Sequence, residues 1–122
     1  MVSAMTHATP AAMRLPDPVI ELVAARFRVL GEPTRIRLLD RLRDGAATVG
    51  ELHEAIGGTQ QNVSKHLRVL LDAGLVSRTR QGTSARYAIA DDGVFALCDQ
   101  VCGGIRRQVA DLDALLHSGG LR

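Results

Sequence analysis

The chain has 122 residues, of which 46% are hydrophobic and 23% charged, a size and balance typical of one globular domain. Its longest apolar runs are too short to cross a bilayer, so a membrane protein is not expected. Residues 1–16 lack the basic start and apolar stretch of a signal peptide, and two cysteines are too few for a disulfide scaffold. These features predict a cytoplasmic protein with reduced thiols.

The positive charge is concentrated in one segment of the chain. The net charge is only +2, yet residues 60–90 carry five basic side chains against a single acidic one, Asp72. The basic residues are Lys65, Arg68, Arg78, Arg80 and Arg86. A local basic patch on a nearly neutral protein is typical of contact with nucleic-acid phosphates.

Two helices are predicted at the start of the domain. Asp17 before Pro18 favours a helix start with Asp17 as N-cap, and Gly31 ends this helix. A second helix begins at Pro33 and stops at Gly45, where glycine supplies a left-handed backbone. The residues expected on its buried face are Ile36, Leu39 and Leu42.

Two further helices are predicted on either side of a glycine pair. Thr48 and Glu51 have the spacing of a capping box, which starts a short third helix that the glycines at 57–58 interrupt. Thr59 then caps a fourth helix, which ends at about residue 73 and is closed by Gly74. A tight turn between two helices is therefore expected.

After the fourth helix the hydrophobic period changes to two. Residues 75–79 and 85–89 are predicted as strands joined by a loop at 80–84. The aspartates at 91–92 then cap a long last helix that runs to about His117. Its apolar stripe consists of Val94, Leu97, Cys98, Val101, Ile105, Val109, Leu112, Leu115 and Leu116. Since so small a core cannot cover this stripe, we expect it to form a dimer face.

Four helices, a hairpin and a fifth helix define the predicted fold. This order is typical of a mainly α winged helix-turn-helix domain, in which the β-hairpin is the wing. We expect the domain to span residues 17–117, between a flexible arm at 1–16 and a flexible tail at 118–122.

The fourth helix is predicted to read DNA. Its apolar side carries Val63, Leu67, Leu70 and Leu71, and its polar side carries Gln61, Ser64, Lys65 and Arg68. Amide, lysine and arginine side chains can bond base edges or phosphates in a major groove. Thr59 and Gln60 stand at the helix start, where the helix dipole favours a phosphate.

The arginines of the hairpin extend the predicted DNA surface. Arg78, Arg80 and Arg86 lie on or beside the loop, from which they could reach phosphates or a minor groove. His66 lies at the flank of the fourth helix, where packing and phosphate contact are both open interpretations.

The motifs resemble those of the ArsR/SmtB family of bacterial metal- and stress-responsive repressors over residues 19–107. The segments that carry the resemblance are Leu30–Leu39, Val49–Leu52, Gln61–Leu67, Gly74–Val76 and Arg86–Tyr87. The resemblance implies that residues 64–67 lie on the recognition helix. It also implies a homodimer formed by the first and last helices, bound to a double-stranded operator that an inducer releases.

The metal sites of that family are not reproduced here. No cysteine stands near Glu51–Glu54, and although Asp91 matches one ligand position, Gly93, Gly104 and Arg107 occupy positions where histidines are needed. Cys98 and Cys102 remain, spaced i and i+4 on one helix face. They are either small packing residues of the dimer interface or sensors of a soft metal, a metalloid or an oxidant.

Other function classes are less well supported. A thiol redox enzyme would need a Cys-x-x-Cys motif and a βαβ framework, and no catalytic constellation has usable spacing, so an enzyme is not expected. The alternatives are a DNA-binding regulator without metal or thiol input and a winged-helix module that binds protein. The latter would tolerate changes at Gln61, Ser64 and Arg68.

Overall fold

Five helices and three short strands make up the computed structural model, which describes residues 14–118. The elements are α1 (Asp17–Leu30), α2 (Pro33–Leu42), β1 (Ala47–Thr48), α3 (Val49–Ile56), α4 (Gln60–Asp72), β2 (Val76–Gln81), β3 (Ser84–Ile89) and α5 (Gly93–Ser118). This order confirms the predicted winged helix-turn-helix architecture and adds the short strand β1. Of the predicted arm and tail, residues 1–13 and 119–122 lie outside the described residues, and Ser118 is the last residue of α5.

The wing belongs to a small antiparallel sheet with the strand order β1-β3-β2. Tyr87 of β3 lies opposite Ala47 of β1 on one side and Arg78 of β2 on the other. The strand β1 therefore ties the base of the wing to the segment before α3. Because a strand of two residues shows no alternation, it could not be predicted from the sequence.

The loop of the hairpin is shorter than the predicted segment 80–84. Gln81 pairs with Ser84, so only Gly82 and Thr83 turn the chain, and Gly82 has a φ of 60°. A two-residue loop with a positive φ matches the twist of paired strands. The strands extend further than expected. The end of β2 was missed because this strand is exposed from Ser77 onward and lacks the alternating burial that marks a strand in the sequence.

The core lies where α2, α3, α4 and the base of the sheet meet. Its largest fully buried side chains are Leu38, Leu52, Val63, Leu67, Leu70 and Leu75. Each leucine buried in this way contributes about 1.5–3 kcal/mol relative to leaving it in water. The core thus fixes α4 through three of its own residues.

The buried face of α2 differs from the predicted one. Leu38, Leu39 and Leu42 are buried, whereas Ile36 is 45% exposed. With about 100° of rotation per residue, Leu42 lies between Leu38 and Leu39, and Ile36 lies roughly a third of a turn from their centre. The prediction of Ile36 as a core residue was therefore wrong.

The predicted helix starts are confirmed for α3 and α4 but not for α1. Thr48 and Glu51 form the capping box, and Thr59 Oγ1 accepts the backbone N–H of Asn62 at 3.1 Å. At α1 the N-cap is Pro16 and Asp17 is already helical, so Asp17 makes no capping hydrogen bond. Its carboxylate still lies in the first turn, where negative charge is favourable.

The last helix, α5, extends away from the core. Its 26 residues correspond to a length of about 39 Å, and Val94 alone among them is buried. Large apolar residues exposed along it are Val101, Ile105, Val109, Leu112, Leu115 and Leu116. Within residues 14–118, no helix is both long and apolar enough to cross a membrane.

Candidate nucleic-acid interface

The two sides of α4 are as different as the sequence predicts. Val63, Leu67 and Leu70 are buried, and the polar residues predicted to read DNA are all exposed on the other side: Gln61, Ser64, Lys65 and Arg68. Since the buried side locks the helix to the core, the polar side is presented on a rigid support.

The start of α4 forms a shallow open depression in the surface. Thr59, Gln60, Gln61 and Ser64 line this depression. The hydroxyl of Thr59 caps the backbone N–H of Asn62, so the first turn is held in helical form. The remaining N–H groups of the first turn and the helix dipole favour an anion at this end.

A histidine fixes the turn between α3 and α4. His53 Nε2 lies 2.8 Å from the carbonyl oxygen of Gly58 and donates to it, because a carbonyl can only accept. Gly57 and Gly58 have φ values of 82° and 79°, which favour glycine. His53 is thus a supporting residue of the helix-turn-helix.

The end of α4 carries one ion pair. Arg68 Nε lies 3.1 Å from Asp72 Oδ1, and both side chains are more than 60% exposed. An exposed pair of this kind contributes about 0–1 kcal/mol and is screened by salt. Arg68 can therefore exchange Asp72 for a phosphate at little cost.

The wing arginines divide between the two faces of the hairpin. Arg78 and Arg80 are two residues apart on β2 and lie opposite Tyr87 and Ala85, so all four side chains share one face. Arg86 lies opposite Thr79 and belongs to the other face. Arg78 and Arg80 are exposed, whereas Arg86 is half-buried.

Arg86 is engaged within the protein. Its Nη2 donates to the carbonyl oxygen of Ala46 at 3.1 Å and lies 3.5 Å from Glu51 Oε1. The hydrogen bond from the backbone N–H of Thr48, followed by the charge of Arg86, holds the pKa of Glu51 below its ordinary value. Arg86 thus fastens the wing to the start of α3.

His66 is buried on α4, with 6% of its surface exposed. Its Nδ1 lies 3.3 Å from Arg35 Nη1, and its Nε2 lies 3.9 Å from Glu32 Oε2. Partial burial by itself would raise the pKa of Glu32. The hydrogen bond from the backbone N–H of Thr34 and the nearness of His66 outweigh this effect, so the pKa of Glu32 lies below its ordinary value. Of the two interpretations left open by the sequence, the structure supports packing.

The cysteines lie on α5, near its start. Cys98 is half-buried beside the core and Cys102 is exposed. Burial raises the pKa of the Cys98 thiol, and the nearby Arg43 offsets this effect only in part. Within the described part of the chain, no three His, Cys, Asp or Glu side chains are grouped to hold a metal ion.

The Asp91 carboxylate, which matched one metal ligand of the family, has local partners. Its Oδ1 accepts the backbone N–H of Gly93 at 2.9 Å, and its Oδ2 lies 3.6 Å from Arg26 Nη1. Asp91 therefore caps α5 and links it to α1.

Comparisons with known proteins define the class first. A family model described as a helix-turn-helix domain matches residues 30–79. The Rv0081 protein of Mycobacterium tuberculosis, an uncharacterized HTH-type transcriptional regulator, is 34% identical over 102 residues, which cover 83% of this chain and 90% of that protein. Its crystal structure superposes with a TM-score of 0.71 at 33% identity, covering 79% of this chain and 97% of that one. The chain is thus a winged helix-turn-helix protein of the transcriptional-regulator class.

The family follows from a second solved structure. The homodimeric winged helix-turn-helix DNA-binding domain of Mb0332 from Mycobacterium bovis is described as a possible ArsR-family transcriptional regulator. It is 30% identical, covers 80% of this chain and 89% of that one, and gives a TM-score of 0.63. The chain belongs to the ArsR family of transcriptional regulators, as its motifs predicted.

Another curated relative is a repressor of a metal resistance operon. The probable mercury resistance operon repressor of Streptomyces lividans is 40% identical over 77 residues, which cover 63% of this chain and 62% of that protein. This chain spans only about half to two thirds of the length of that repressor and of several other curated relatives.

Proposed function

We propose that this chain is a repressor that acts in the cytoplasm, binds a palindromic DNA operator as a homodimer and is released by an effector. The observation that carries the proposal is the exposed polar side of α4, held on the core by Val63, Leu67 and Leu70. The residues assigned to DNA are Thr59, Gln60, Gln61, Ser64, Lys65, Arg68, Arg78 and Arg80. Binding, without catalysis, accounts for this arrangement.

The chemistry of α4 suits a major groove. Gln61 can bond an adenine edge, Lys65 and Arg68 can bond guanine or phosphate, and Ser64 is small enough to allow close approach. A solvated helix face would usually mix acidic and basic residues, whereas this face carries no acid before Asp72. The two half-sites of the operator would lie about one helical turn of DNA apart.

The wing arginines have different roles in this proposal. Arg78 and Arg80 contact the phosphate backbone or the adjacent minor groove. Arg86, assigned to DNA by its position in the sequence, first supports the wing through Ala46 and Glu51. It would reach DNA only by leaving those partners.

The homodimer is assigned to α1 and α5. Both helices expose large apolar side chains, among them Leu22 and Phe27 on α1 and Ile105 and Leu112 on α5. Exposed apolar area of this extent is typical of an interface. A two-fold dimer would place two recognition helices on one face, as a palindrome requires.

A titration of the reduced protein against the DNA upstream of its own gene tests the proposal. We expect salt-dependent binding that Arg68→Ala weakens by about 1–2 kcal/mol, while Arg106→Ala, an exposed arginine on α5, leaves it unchanged. Retained regulation after replacement of Gln61, Ser64 and Arg68 together would contradict DNA reading and indicate a protein-binding module.

The effector site that we propose is the pair Cys98 and Cys102, for a soft metal ion, a metalloid or an oxidant. Thiols at i and i+4 lie on one side of a helix and can bind one soft ion together. The mercury resistance repressor among the relatives supports this chemistry. A single chain supplies too few ligands for a resident zinc ion, which takes about four.

Burial raises the pKa of Cys98 and so disfavours the thiolate, which is the form that binds metal. The role of Cys98 in sensing therefore needs a direct test. Its partial burial also suits a side chain that only packs in the interface. We expect Cys98→Ser to bind the upstream DNA normally and to resist release by mercuric ion, arsenite and a mild oxidant. Release that persists in Cys98→Ser would leave a regulator whose effector acts elsewhere.

A further inference from the structure

A single arginine bridges the recognition helix and the helix assigned to the dimer. Arg35 of α2 donates from Nε to the carbonyl oxygen of Val29 at 2.6 Å and from Nη2 to that of Arg28 at 3.4 Å. Both carbonyls belong to the last turn of α1, and that of Arg28 also accepts the backbone N–H of Gly31 at 3.3 Å. From Nη1 the same guanidinium reaches His66 Nδ1 on α4 at 3.3 Å.

Both ring nitrogens of His66 face partners at the start of α2. A guanidinium carries only donors, so Nδ1 accepts in the hydrogen bond with Arg35. The other ring nitrogen, Nε2, lies 3.9 Å from Glu32 Oε2. The other oxygen of Glu32 accepts the backbone N–H of Thr34 and so caps α2. Each member of this link (Glu32, Arg35 and His66) therefore has a partner on another part of the chain.

We propose that Arg35, acting through His66, is a positioning residue that sets the angle between α1 and the recognition helix, and thereby the spacing of the two half-sites that the dimer accepts. Rotation of α4 against α1 must break a charge-assisted hydrogen bond at a half-buried site. The planar fork of arginine suits this role because it reaches separate acceptors in fixed directions, which a lysine ammonium cannot do.

The inference rests on the proposed DNA-binding function and on the assignment of α1 to the dimer. Neither Arg35 nor His66 belongs to the exposed DNA face, so a change there leaves every assigned DNA contact in place. Without the link, each recognition helix would still be able to enter its groove. The two helices of a dimer would no longer be held at one separation.

The test compares Arg35→Lys with Arg37→Lys, a change at an exposed arginine of the same helix. The full DNA probe is the upstream duplex that the wild-type protein protects in footprinting. The other probes are a duplex with one half-site and duplexes whose half-site separation differs by one base pair. We expect Arg35→Lys to lose roughly tenfold in affinity for the full duplex, to bind the half-site normally and to discriminate less between separations. His66→Gln keeps an acceptor for Arg35 and should restore discrimination relative to His66→Leu.

A measurement without DNA separates this inference from the proposed function. Spin labels at Glu21→Cys on α1 and Asn62→Cys on α4, with Cys98 and Cys102 changed to serine, report the distance between the helices within one protomer. Unlabelled chain in excess removes distances between protomers. We expect Arg35→Lys to broaden this distribution and Arg37→Lys to leave it narrow.

The outcomes differ for the two proposals. An unchanged distance distribution in both Arg35→Lys and His66→Leu would overturn the positioning role, as would equal losses on full and half-site DNA. Failure of the wild-type protein to bind any of the duplexes would refute the proposed function, while the distance distribution would still decide whether Arg35 holds α4 to α1.

Discussion

Arg86 of β3 and Glu51 of α3 face each other, with Nη2 and Oε1 3.5 Å apart. The same carboxylate oxygen accepts the backbone N–H of Thr48 at 2.8 Å. One carboxylate thus completes the cap of α3 and holds the base of the wing. Because this pair occupies Arg86, the exposed arginines of the wing are Arg78 and Arg80.

Substitutions of the wing arginines should have different effects on folding stability and on DNA binding. Arg86→Ala removes a charged hydrogen bond to Ala46 and should lower the free energy of unfolding by roughly 1 kcal/mol. Arg80→Ala should leave unfolding unchanged, weaken DNA binding and reduce its salt dependence by about one phosphate contact. Thermal unfolding and salt-dependent DNA titrations measure the two effects. The reverse assignment would follow if Arg80→Ala destabilised the fold and Arg86→Ala did not.

The cap of α3 should make stability depend on pH. The native pKa of Glu51 lies below its ordinary value of 4.5, so the unfolded chain binds more protons between the two values. The contribution is complete above 4.5 and is lost as the pH falls through the native pKa. Denaturant titrations at a series of pH values should show a shallower acid-side decline for Glu51→Gln than for the wild type.

The matched control for this pH effect is Glu54→Gln, on the exposed side of the same helix. It should retain the acid-side decline of the wild type. Identical declines in all three proteins would show that the cap does not respond to pH.

The two sides of α4 should respond to different assays. Leu67→Ala empties a fully buried site and should cost about 2–5 kcal/mol of folding free energy. Lys65→Ala should leave folding unchanged and weaken DNA binding about equally on all sequences, as expected for a phosphate contact. Chemical denaturation and titrations on two unrelated duplexes measure these effects. Sequence-dependent loss in Lys65→Ala would instead assign Lys65 to a base.

The exposed stripe of α5 should be needed for the dimer. Ile105→Asp places a charge among exposed apolar residues and should shift the protein towards monomer in sedimentation equilibrium. Ala114→Asp, also exposed but on the opposite side of the helix, should leave the mass unchanged. A dimer that survives Ile105→Asp while Ala114→Asp breaks it would place the interface on the other side of α5.

Local signals account for the elements that were predicted well. The capping box of α3, the Thr59 cap of α4 and the positive φ of Gly74 at the end of α4 each involve residues within a few positions of one another. The polar face of α4 follows likewise from the period of one helix. Such features depend on neighbouring residues alone, so the order of elements and the exposed polar residues of α4 could be predicted.

The features that were missed or wrongly predicted depend on partners distant in the sequence. Which side of α2 is buried, and hence the exchange of Ile36 for Leu38, was decided by where α3 and α4 pack. The second strand partner of β3 lies at Ala47, far from the hairpin. Neither the buried side of α2 nor the pairing of β3 with Ala47 can be predicted from the neighbouring residues in the sequence.

The sequence by itself determined the class of protein, the caps that start α3 and α4, and the exposed polar face of α4. The tertiary structure alone decided the roles of His66 and Arg86, whose partners Arg35 and Ala46 lie 31 and 40 positions away. Helix periodicity and caps act over about one turn, whereas a hydrogen bond between residues distant in the sequence forms only when folding has brought its donor and acceptor together.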